Sequence, residues 1–249
     1  MDNLPFNEYA ANVFSQNGED GIIEEIIKRL GIDSDAWCVE FGAWDGMHLS
    51  NTFNLVKLGW NAVYIEGCKS RFCDLLDTVK KFEKIVPINA YVSHIKNDNL
   101  SLDNILKTTP IKINFDLLSI DVDSYDLDIW ESMINYSPKV VIIEINSLVP
   151  PGIVWRHTAS TPGNTFTATI NVAQQKNYTL ICHTGNLIFV RDDLVSKLHM
   201  DERFVIYPEV LFMYERWMRG NNYVKTPSLV ASVLPAFVLR LIGKFRRQV

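Results

Sequence analysis

The amino-acid sequence predicts a doubly wound α/β fold with a mostly parallel sheet. Strand-like and helix-like segments alternate along most of the chain, which is the pattern of consecutive βα units. The last two strand-like segments are separated only by Thr184 and Gly185, which predicts an antiparallel hairpin at the end of the sheet. At 249 residues and 47% hydrophobic content, the chain is long enough for one large domain or two small ones.

The first predicted element is a helix over residues 19–30. Its isoleucines recur at helical spacing, its acids come early and its bases late, and Gly31 follows as a C-cap. A strand over 37–42 and a helix over 51–58 come next. The run 139–146 is the most β-branched, which favours a central strand. The other predicted strands are 61–66, 84–89, 115–121, 178–183 and 186–191, and the other predicted helices are 70–80, 127–133, 165–175 and 212–217.

Composition narrows the function classes. A net charge of −5 disfavours a dedicated nucleic-acid-binding protein, which usually carries a basic surplus. The four cysteines have no CxxC spacing, which indicates a reducing compartment. The N-terminal residues lack the basic and apolar regions of a signal peptide, and no apolar run reaches about 18 residues. The sequence therefore predicts a cytoplasmic protein.

Residues 39–46, Val-Glu-Phe-Gly-Ala-Trp-Asp-Gly, are the most informative stretch of the chain. They predict a buried strand that ends in an acid and runs into a glycine turn ahead of a helix. Such turns bind nucleotides, because glycine lets a ligand approach the backbone. The carboxylate of Glu40 would repel a pyrophosphate but suits a cation. S-adenosylmethionine (SAM) carries an ammonium and a sulfonium and no phosphate, so the stretch favours SAM.

A second acid strengthens this interpretation. Glu66 ends the next predicted strand, 26 positions after Glu40, which is about one βαβ repeat. An acid in that position holds ribose hydroxyls in Rossmann-type sheets, and Gly67 would allow close approach. Two alternatives remain open: both acids are solvated strand ends, or the site binds NAD. NAD binding would require G-x-G-x-x-G, and the chain has Gly42-x-x-x-Gly46 instead.

Acids also cluster after the predicted strand 115–121. Asp121 and Asp123 lie at its tip, and Glu144 and Asn146 occupy alternate positions one strand further. Neighbouring parallel strands would bring Asp121, Glu144 and Asn146 together, and such oxygen ligands suit Mg²⁺ or Mn²⁺. The alternative is that Asp123 or Ser124 caps the following helix and Asp121 only lines the cofactor pocket.

Two loops supply further candidates. Residues 15–21, Ser-Gln-Asn-Gly-Glu-Asp-Gly, precede a helix, and their backbone N–H groups, with Gln16, could receive the carboxylate of SAM. The alternative is a helix cap by Asn17 or Glu19. The proline-rich loop 148–164 contains His157 beside Trp155, where a histidine could act as a general base.

The C-terminal segment differs in its sequence pattern from the rest of the chain. We divide the chain into a domain of residues 1–200 and a helical extension of residues 201–249. The last ten residues contain four bases and no acid. This basic amphipathic tail is compatible with peripheral contact to an anionic membrane, or with packing on its own domain or a second subunit in a homo-oligomer.

Taken together, these stretches resemble the FkbM-type SAM-dependent methyltransferases over roughly residues 12–193. The resemblance implies a Rossmann-like class I methyltransferase fold, with a seven-stranded sheet that ends in an antiparallel hairpin. It departs from many relatives where Ser124 and Tyr125 follow Asp123, in place of a glycine or asparagine. The stretches that carry it are 14–23 (FSQNGEDGII), 39–46 (VEFGAWDG), 49–52 (LSNT), 59–67 (GWNAVYIEG), 118–123 (LSIDVD) and 141–146 (VIIEIN).

The resemblance also implies site residues and a reaction. Carried over by position, the methionyl side of SAM would meet one group of residues and the adenine side another. Divalent ions in related enzymes are bound at the positions of Asp121, Glu144 and Asn146. The implied methionyl-side residues are Glu40, Gly42, Asp45, Gly46 and Asn51, with Glu66 at the ribose, Asn89, Ala90 and Tyr91 near adenine, and Asp121 under the sulfonium.

The expected function is O-methyl transfer from SAM to a sugar hydroxyl of a glycan or nucleotide sugar. Asp123 or His157 would accept the hydroxyl proton, and positioning would supply most of the rate gain. Three alternatives remain: a catalytically silent binding or scaffold protein on this fold, an NAD(P)-dependent sugar-modifying enzyme, and an O-methyltransferase for a non-carbohydrate small molecule or a protein.

Overall fold

A computed structural model describes residues 6–214 of the chain. The predicted basic tail lies outside these residues, as does the second half of the predicted helix 212–217. The strands are β1 (Trp37–Phe41), β2 (Asn61–Ile65), β3 (Ile85–Ile88), β4 (Leu117–Ile120), β5 (Val140–Glu144), β6 (Tyr178–His183) and β7 (Asn186–Arg191). The α-helices are α1 (Glu19–Leu30), α2 (Phe53–Lys57), α3 (Lys69–Val79), α4 (Leu102–Leu106), α5 (Asp126–Ser132), α6 (Phe166–Gln175) and α7 (Glu202–Ile206).

The seven strands form one sheet in the order β3-β2-β1-β4-β5-β7-β6. Neighbours from β3 to β5 pair in parallel, whereas β7 runs antiparallel to both β5 and β6. This confirms the predicted Rossmann-like sheet of the class I methyltransferase type, with its reversed hairpin at one edge. The chain order reverses between β1 and β4, and α/β proteins bind ligands at such a switch point.

Helices cover both faces of the sheet. Along β1, Cys38 packs with the apolar faces of α1, α2 and α3, whereas Val39 and Phe41 pack with α4, α5 and α6. This alternation follows from the two-residue period of a strand. Because both faces are buried, the parallel strands are mostly apolar, and most of their polar side chains lie near the strand ends.

The structure confirms most predicted elements. The bounds of α1, β6 and β7 match the prediction at both ends, and Gly31 has the left-handed conformation of a C-cap. The parallel strands are one to three residues shorter than predicted. The five-residue helix α4 was not predicted, and residues 212–214 are not helical, so that part of the predicted helix is wrong.

The start of the predicted C-terminal extension packs on the sheet. Phe204 of α7 and Leu211 are both buried, in the same core as β6 and α6. The boundary placed at residue 200 stays a prediction. Of the helices between residues 6 and 214, none combines the length and the apolar character required to span a bilayer.

The tips of β1 and β4 come very close together at Gly42. This residue has φ +80°, and a Cβ atom on it would lie 1.8 Å from the carbonyl oxygen of Asp121. Gly31 has a similar φ of +67°, but a Cβ there would meet no atom within 4 Å. A comparison of Gly42 with Gly31 therefore distinguishes the free-energy cost of a left-handed backbone, which both positions share, from that of a steric clash, which occurs only at Gly42.

We therefore expect Gly42→Ala to destabilise the protein far more than Gly31→Ala. Left-handed backbone alone costs a non-glycine residue about 1–2 kcal/mol. The clash at residue 42 should add at least about 2 kcal/mol, because the strand tips must separate. Chemical denaturation of both variants measures the difference, and equal losses of stability would show that β1 and β4 are not held this closely.

Candidate functional site

A cavity of about 570 Å³ opens at the carboxyl ends of β1, β2 and β4. It lies at the switch point of the sheet, where the predicted cofactor site was expected. Eight residues predicted from the sequence line it: Glu40, Gly42, Glu66, Gly67, Ala90, Tyr91, Asp121 and Asp123.

Glu40, the last acid of β1, forms part of the cavity floor and is buried. Its Oε2 accepts hydrogen bonds from the Ser50 hydroxyl (2.8 Å), the Thr52 hydroxyl (2.5 Å) and the Thr52 backbone N–H (3.1 Å). The Thr52 hydroxyl in turn lies 2.8 Å from the hydroxyl of Tyr64 on β2. Burial raises the pKa of Glu40 to about 7, although these donors favour the charged form. A cationic group in the cavity would restore the carboxylate at neutral pH.

Glu66 follows β2 and faces the same cavity. Its two carboxylate oxygens accept the backbone N–H groups of Trp44 (2.9 Å) and Cys68 (2.7 Å). The carboxylate is therefore held in one orientation by the turn after β1 and by the start of α3. Each oxygen keeps a second lone pair, so Glu66 can also accept hydrogen bonds from ligand hydroxyls.

Four other predicted cofactor residues support the cavity without lining it. Asp45 Oδ1 accepts the backbone N–H groups of Met47 and His48, which closes the glycine turn. Gly46 packs against Tyr64 and Leu75 so closely that a Cβ would lie 2.9 Å from either side chain. Asn51 is buried and donates to Ser119 Oγ (3.2 Å), whereas Asn89 donates to the carbonyl oxygen of Glu66 (2.7 Å).

The turn 15–21 differs from the prediction. Asp20 Oδ2 accepts the backbone N–H groups of residues 13, 14 and 15, at 2.7 to 2.8 Å, and the Ser15 hydroxyl. Glu19 Oε2 accepts the N–H of Asn17 at 2.7 Å, but no side chain caps the first turn of α1, so the helix-cap alternative is not observed either. The chain's own carboxylates thus occupy these donors. Gln16 is exposed and is not one of the described residues that line the cavity.

Three carboxylates converge beyond the tips of β4 and β5. One oxygen from each of Asp121, Asp123 and Glu144 lies within 4.8 Å of the others. The predicted proximity of Asp121 and Glu144 is therefore observed, but the third member of the cluster is Asp123. Asn146 instead holds its own loop, because its Oδ1 accepts the Leu148 N–H (3.1 Å) and its Nδ2 donates to the Pro162 carbonyl (3.3 Å).

The acid cluster is electrostatically unfavourable without a counter-charge. Asp121 keeps exposed surface at the cavity, but protein atoms surround much of its carboxylate. This partial desolvation, together with the nearby carboxylates of Glu144, Asp126 and Asp123, raises the pKa of Asp121 above its usual range. A bound cation or a shared proton would relieve this repulsion. Carboxylate oxygens are the ligands that Mg²⁺ and Mn²⁺ prefer.

Asp126 has a structural task beside this cluster. Its two oxygens accept the backbone N–H groups of Val122 and Ser124, both at 2.8 Å, at the start of α5. These bonds fix the loop that carries Asp123, which has a left-handed backbone with φ +56°.

His157 lies away from the cavity lining. Its Nδ1 accepts the Gly163 N–H at 3.3 Å, and its ring packs edge-on with Tyr125 at 5.1 Å between centroids. Tyr125 lines the cavity and stacks on His94 at 4.2 Å. Of the two predicted proton acceptors, Asp123 borders the cavity and His157 does not.

Sequence reasoning missed several residues that line the cavity. Trp44 and His48 belong to the loop after β1 and form an edge-on aromatic pair, with centroids 5.2 Å apart. Arg71 of α3 lies over the Trp44 ring at 4.9 Å. Trp44 lies inside the predicted glycine turn, so the sequence could have identified it as a cavity residue. Nothing in the sequence indicates that Arg71 contacts Trp44.

Comparison with known proteins shows similarity to solved structures at the level of the fold. No protein-family model matches the chain, and no curated protein matches it, so the FkbM-type resemblance stays a prediction. Solved structures with a similar fold include a SAM-dependent methyltransferase from Aquifex aeolicus, at 10% identity and TM-score 0.42 over 67% of this chain and 85% of that one.

Two further structures are similar. A putative caffeoyl-CoA O-methyltransferase from Staphylococcus aureus is 12% identical, with TM-score 0.45 over 73% of this chain and 85% of that one. M. capricolum TrmK in complex with S-adenosyl-homocysteine is 13% identical, with TM-score 0.41 over 90% of this chain and 86% of that one. Because these sequence identities are low, we assign the fold class from the strand order of the protein itself.

The buried carboxylate of Glu40 predicts a pH dependence of stability. Its pKa is raised from 4.5 to about 7, so the folded state binds this proton more tightly than the unfolded state. The free energy of unfolding should therefore fall as the pH rises from about 4.5 to about 7, by at most about 3 kcal/mol from this group. We expect Glu40→Gln to reduce this loss.

Denaturation of wild type and Glu40→Gln at several pH values between 5 and 8 checks the prediction. Glu66→Gln is a suitable control, since its carboxylate is held by two backbone N–H groups in the same cavity wall. Parallel pH profiles for wild type and Glu40→Gln would contradict the assignment.

Proposed function

We propose that the protein is a SAM-dependent O-methyltransferase that acts on a neutral sugar hydroxyl. The observation that carries the proposal is the pair of strand-tip acids, Glu40 and Glu66, that face one cavity at the switch point of the sheet. A buried carboxylate with a pKa near 7 suits an ammonium ligand, and a fixed carboxylate one strand away suits ribose hydroxyls.

The residues present fit SAM. Glu40 would hold its ammonium, Glu66 its ribose hydroxyls, and Ala90 and Tyr91 would contact its adenine side. When bound, SAM supplies an electrophilic methyl group on a sulfonium. Asp121 contributes negative charge on the side where the predicted sulfonium would lie.

Asp123 is the proposed proton acceptor. It borders the large cavity at the end next to Asp121, and its backbone is fixed by the contacts of Asp126 with residues 122 and 124. A fixed carboxylate can orient an acceptor hydroxyl and take its proton as the methyl group is transferred.

Charge favours a neutral acceptor over a nucleotide sugar. Among the described residues that line the cavity, Glu40, Glu66, Asp121 and Asp123 are acidic and Arg71 is basic. The guanidinium of Arg71 lies over the ring of Trp44, which belongs to the loop after β1. A phosphate near Asp121 and Asp123 would be repelled, whereas sugar hydroxyls can donate hydrogen bonds to them.

A divalent ion is part of the proposal. Asp121, Asp123 and Glu144 would hold Mg²⁺ or Mn²⁺, which would lower the pKa of a bound acceptor hydroxyl. The alternative to a bound metal ion is that a proton shared among the carboxylates of the acid cluster relieves their repulsion. The scaffold alternative predicts a cavity that binds neither SAM nor its product.

The proposal predicts methyl transfer to neutral glycans. Labelled SAM should be consumed in a screen of neutral oligosaccharides, with less turnover on nucleotide sugars and small phenols as comparison acceptors. Calorimetry should show binding of S-adenosylhomocysteine, weakened at least about tenfold by Glu66→Gln, since a ribose hydrogen bond to a charged group is lost. Absence of binding by the wild type would favour the scaffold alternative.

Two substitutions distinguish the observed acid cluster, which contains Asp123, from the metal ligands predicted from the sequence, which included Asn146 instead. Asp123→Asn should weaken Mn²⁺ binding at least about tenfold, because one charged ligand is lost, and EDTA should lower turnover. Asn146→Ala is the matched control and should leave Mn²⁺ affinity near that of wild type. The reverse order of effects would restore Asn146 as a ligand, and full turnover in EDTA would exclude a metal role.

A further inference from the structure

The carboxylate of Glu40 belongs to a hydrogen-bond network that continues into the sheet. Glu40 is 7% exposed, and Thr52 and Tyr64, its partners in the network, are fully buried. The Thr52 hydroxyl lies between them, 2.5 Å from Oε2 of Glu40 and 2.8 Å from the Tyr64 hydroxyl. Each of these hydroxyl groups carries one hydrogen atom, so the donor in each bond follows from what its neighbours can accept.

Ser50 can act only as a donor toward Glu40. Its Oγ accepts the backbone N–H groups of Thr52 (3.2 Å) and Phe53 (3.0 Å), which uses both lone pairs. The hydroxyl hydrogen is then left for Oε2 of Glu40, at 2.8 Å. Ser50 also lies near the Tyr64 hydroxyl, but it has no lone pair left with which to accept that hydrogen.

Tyr64 fixes the direction of the bond between Thr52 and Glu40. Burial raises the pKa of the Tyr64 hydroxyl well above its usual range, so this group keeps its hydrogen. A buried O–H without an acceptor is costly, and the Thr52 oxygen is the acceptor within reach. Because Tyr64 donates to Thr52, the single hydrogen of the Thr52 hydroxyl is directed to Glu40.

The two carboxylate oxygens of Glu40 therefore differ. Oε2 accepts three hydrogen bonds, from the Ser50 hydroxyl and from the hydroxyl and N–H of Thr52. Oε1 accepts none from residues 6–214, yet it is not one of their buried unpaired oxygens, so it keeps accessible surface in the cavity that Glu40 lines. The Asn51 N–H also favours the charged form, without a hydrogen bond of good geometry.

We propose that Tyr64 and Thr52 are positioning residues for Glu40. Tyr64 donates to Thr52, Thr52 donates to Oε2, and Oε1 is the oxygen that holds either a proton or a ligand cation. When Glu40 is neutral, its proton lies on Oε1 and the three donors to Oε2 stay in place. The role of the ligand rests on the proposed function, since the ammonium of SAM would replace that proton, which leaves to solvent.

Titratable groups act on the charge of Glu40 from three strands. They are Cys38 of β1, Tyr64 of β2 and Asp121, which follows β4. Burial raises the pKa of the Cys38 thiol and of the Tyr64 hydroxyl, so both groups are neutral near pH 7. Asp121 also has a raised pKa, so its charge can change together with that of Glu40. An Asp121→Asn background removes this contribution from a titration.

Neutron diffraction from crystals of the wild-type full chain tests the bond directions without a variant. In crystals at about pH 8.5, where Glu40 is charged, the Tyr64 hydrogen should point to Thr52 and the Thr52 hydrogen to Oε2. In crystals at about pH 5.5, an additional hydrogen should lie on Oε1. A Thr52 hydrogen directed to Tyr64, or a Glu40 hydrogen on Oε2, would overturn the proposal.

A carbon NMR titration of the Glu40 carboxyl group measures the effect of each hydroxyl in the ligand-free protein. Thr52→Val keeps the side-chain shape but removes a donor to a charged group, so the midpoint should rise by about one pH unit. Thr52→Ser keeps the hydroxyl and should stay within about 0.3 pH unit of wild type. Tyr64→Phe should raise the midpoint by at least about 0.3 pH unit, because the Thr52 donor is no longer polarised.

Tyr178→Phe is the matched control for Tyr64→Phe. The Tyr178 hydroxyl is also buried and donates to the Pro138 carbonyl at 2.6 Å, but it belongs to β6, four strands away from β1 in the sheet. Its loss should leave the Glu40 midpoint unchanged. Equal shifts in the two tyrosine variants, or no shift in Thr52→Val, would contradict the positioning role. The neutron structure decides if the variants do not fold.

Calorimetry with S-adenosylhomocysteine separates this inference from the proposed function. If Oε1 holds the ligand ammonium, Thr52→Val should weaken binding about fivefold at pH 7, because the ionised fraction of Glu40 falls. At about pH 8.5 the loss should be less than about twofold. An equal loss at both pH values would exclude the ligand role of Oε1. Absence of binding by the wild type would overturn the methyltransferase proposal and leave the titration of Glu40 as it is.

Discussion

The carboxylate of Glu40 is buried at the point where β1, β2 and the turn before α2 meet. Taking an acid out of water is unfavourable, and the Ser50 and Thr52 hydroxyls and the Thr52 N–H compensate it in part. The remaining cost is visible in its pKa, which is raised to about 7. The fold therefore keeps at the floor of its main cavity a carboxyl group whose pKa is close to neutral pH. A cationic ligand would be stabilised there more strongly than at a solvated strand end.

The carboxylates of this protein have two different tasks. Asp20, Asp103 and Asp126 each accept two or more backbone N–H groups, and each fixes a loop or a helix start. Their charges are satisfied inside the protein. Asp121 and Asp123 face the large cavity, and the mutual repulsion of the cluster that they form with Glu144 is what a ligand would relieve.

Sequence reasoning succeeded where local periodicity or a short turn decides the structure. The bounds of α1 follow from isoleucines at helical spacing and a glycine C-cap, and the β6–β7 hairpin follows from its tight turn. The short helix α4 offers too few residues to show a period. The cavity was placed correctly because parallel strands end at the same edge, but Arg71 reaches it from a helix whose rotation no local pattern reveals.

The prediction at Asn146 shows where strand periodicity stops being valid. Glu144 and Asn146 were expected on one face because alternate residues of a strand share a face. The strand β5 ends at Glu144, however, and beyond it Asn146 turns to cap the loop at Leu148 and Pro162.

Asp123 shows how the fold uses strain beside a cavity. A left-handed backbone at a non-glycine residue costs free energy and persists only where the surroundings impose it. Here Asp126 accepts the N–H groups on either side of Asp123, so one carboxylate fixes the backbone that presents the other. Asp123 thereby borders the large cavity and belongs to the acid cluster at once. The left-handed backbone persists beside the candidate site because Asp126 holds the N–H groups before and after it.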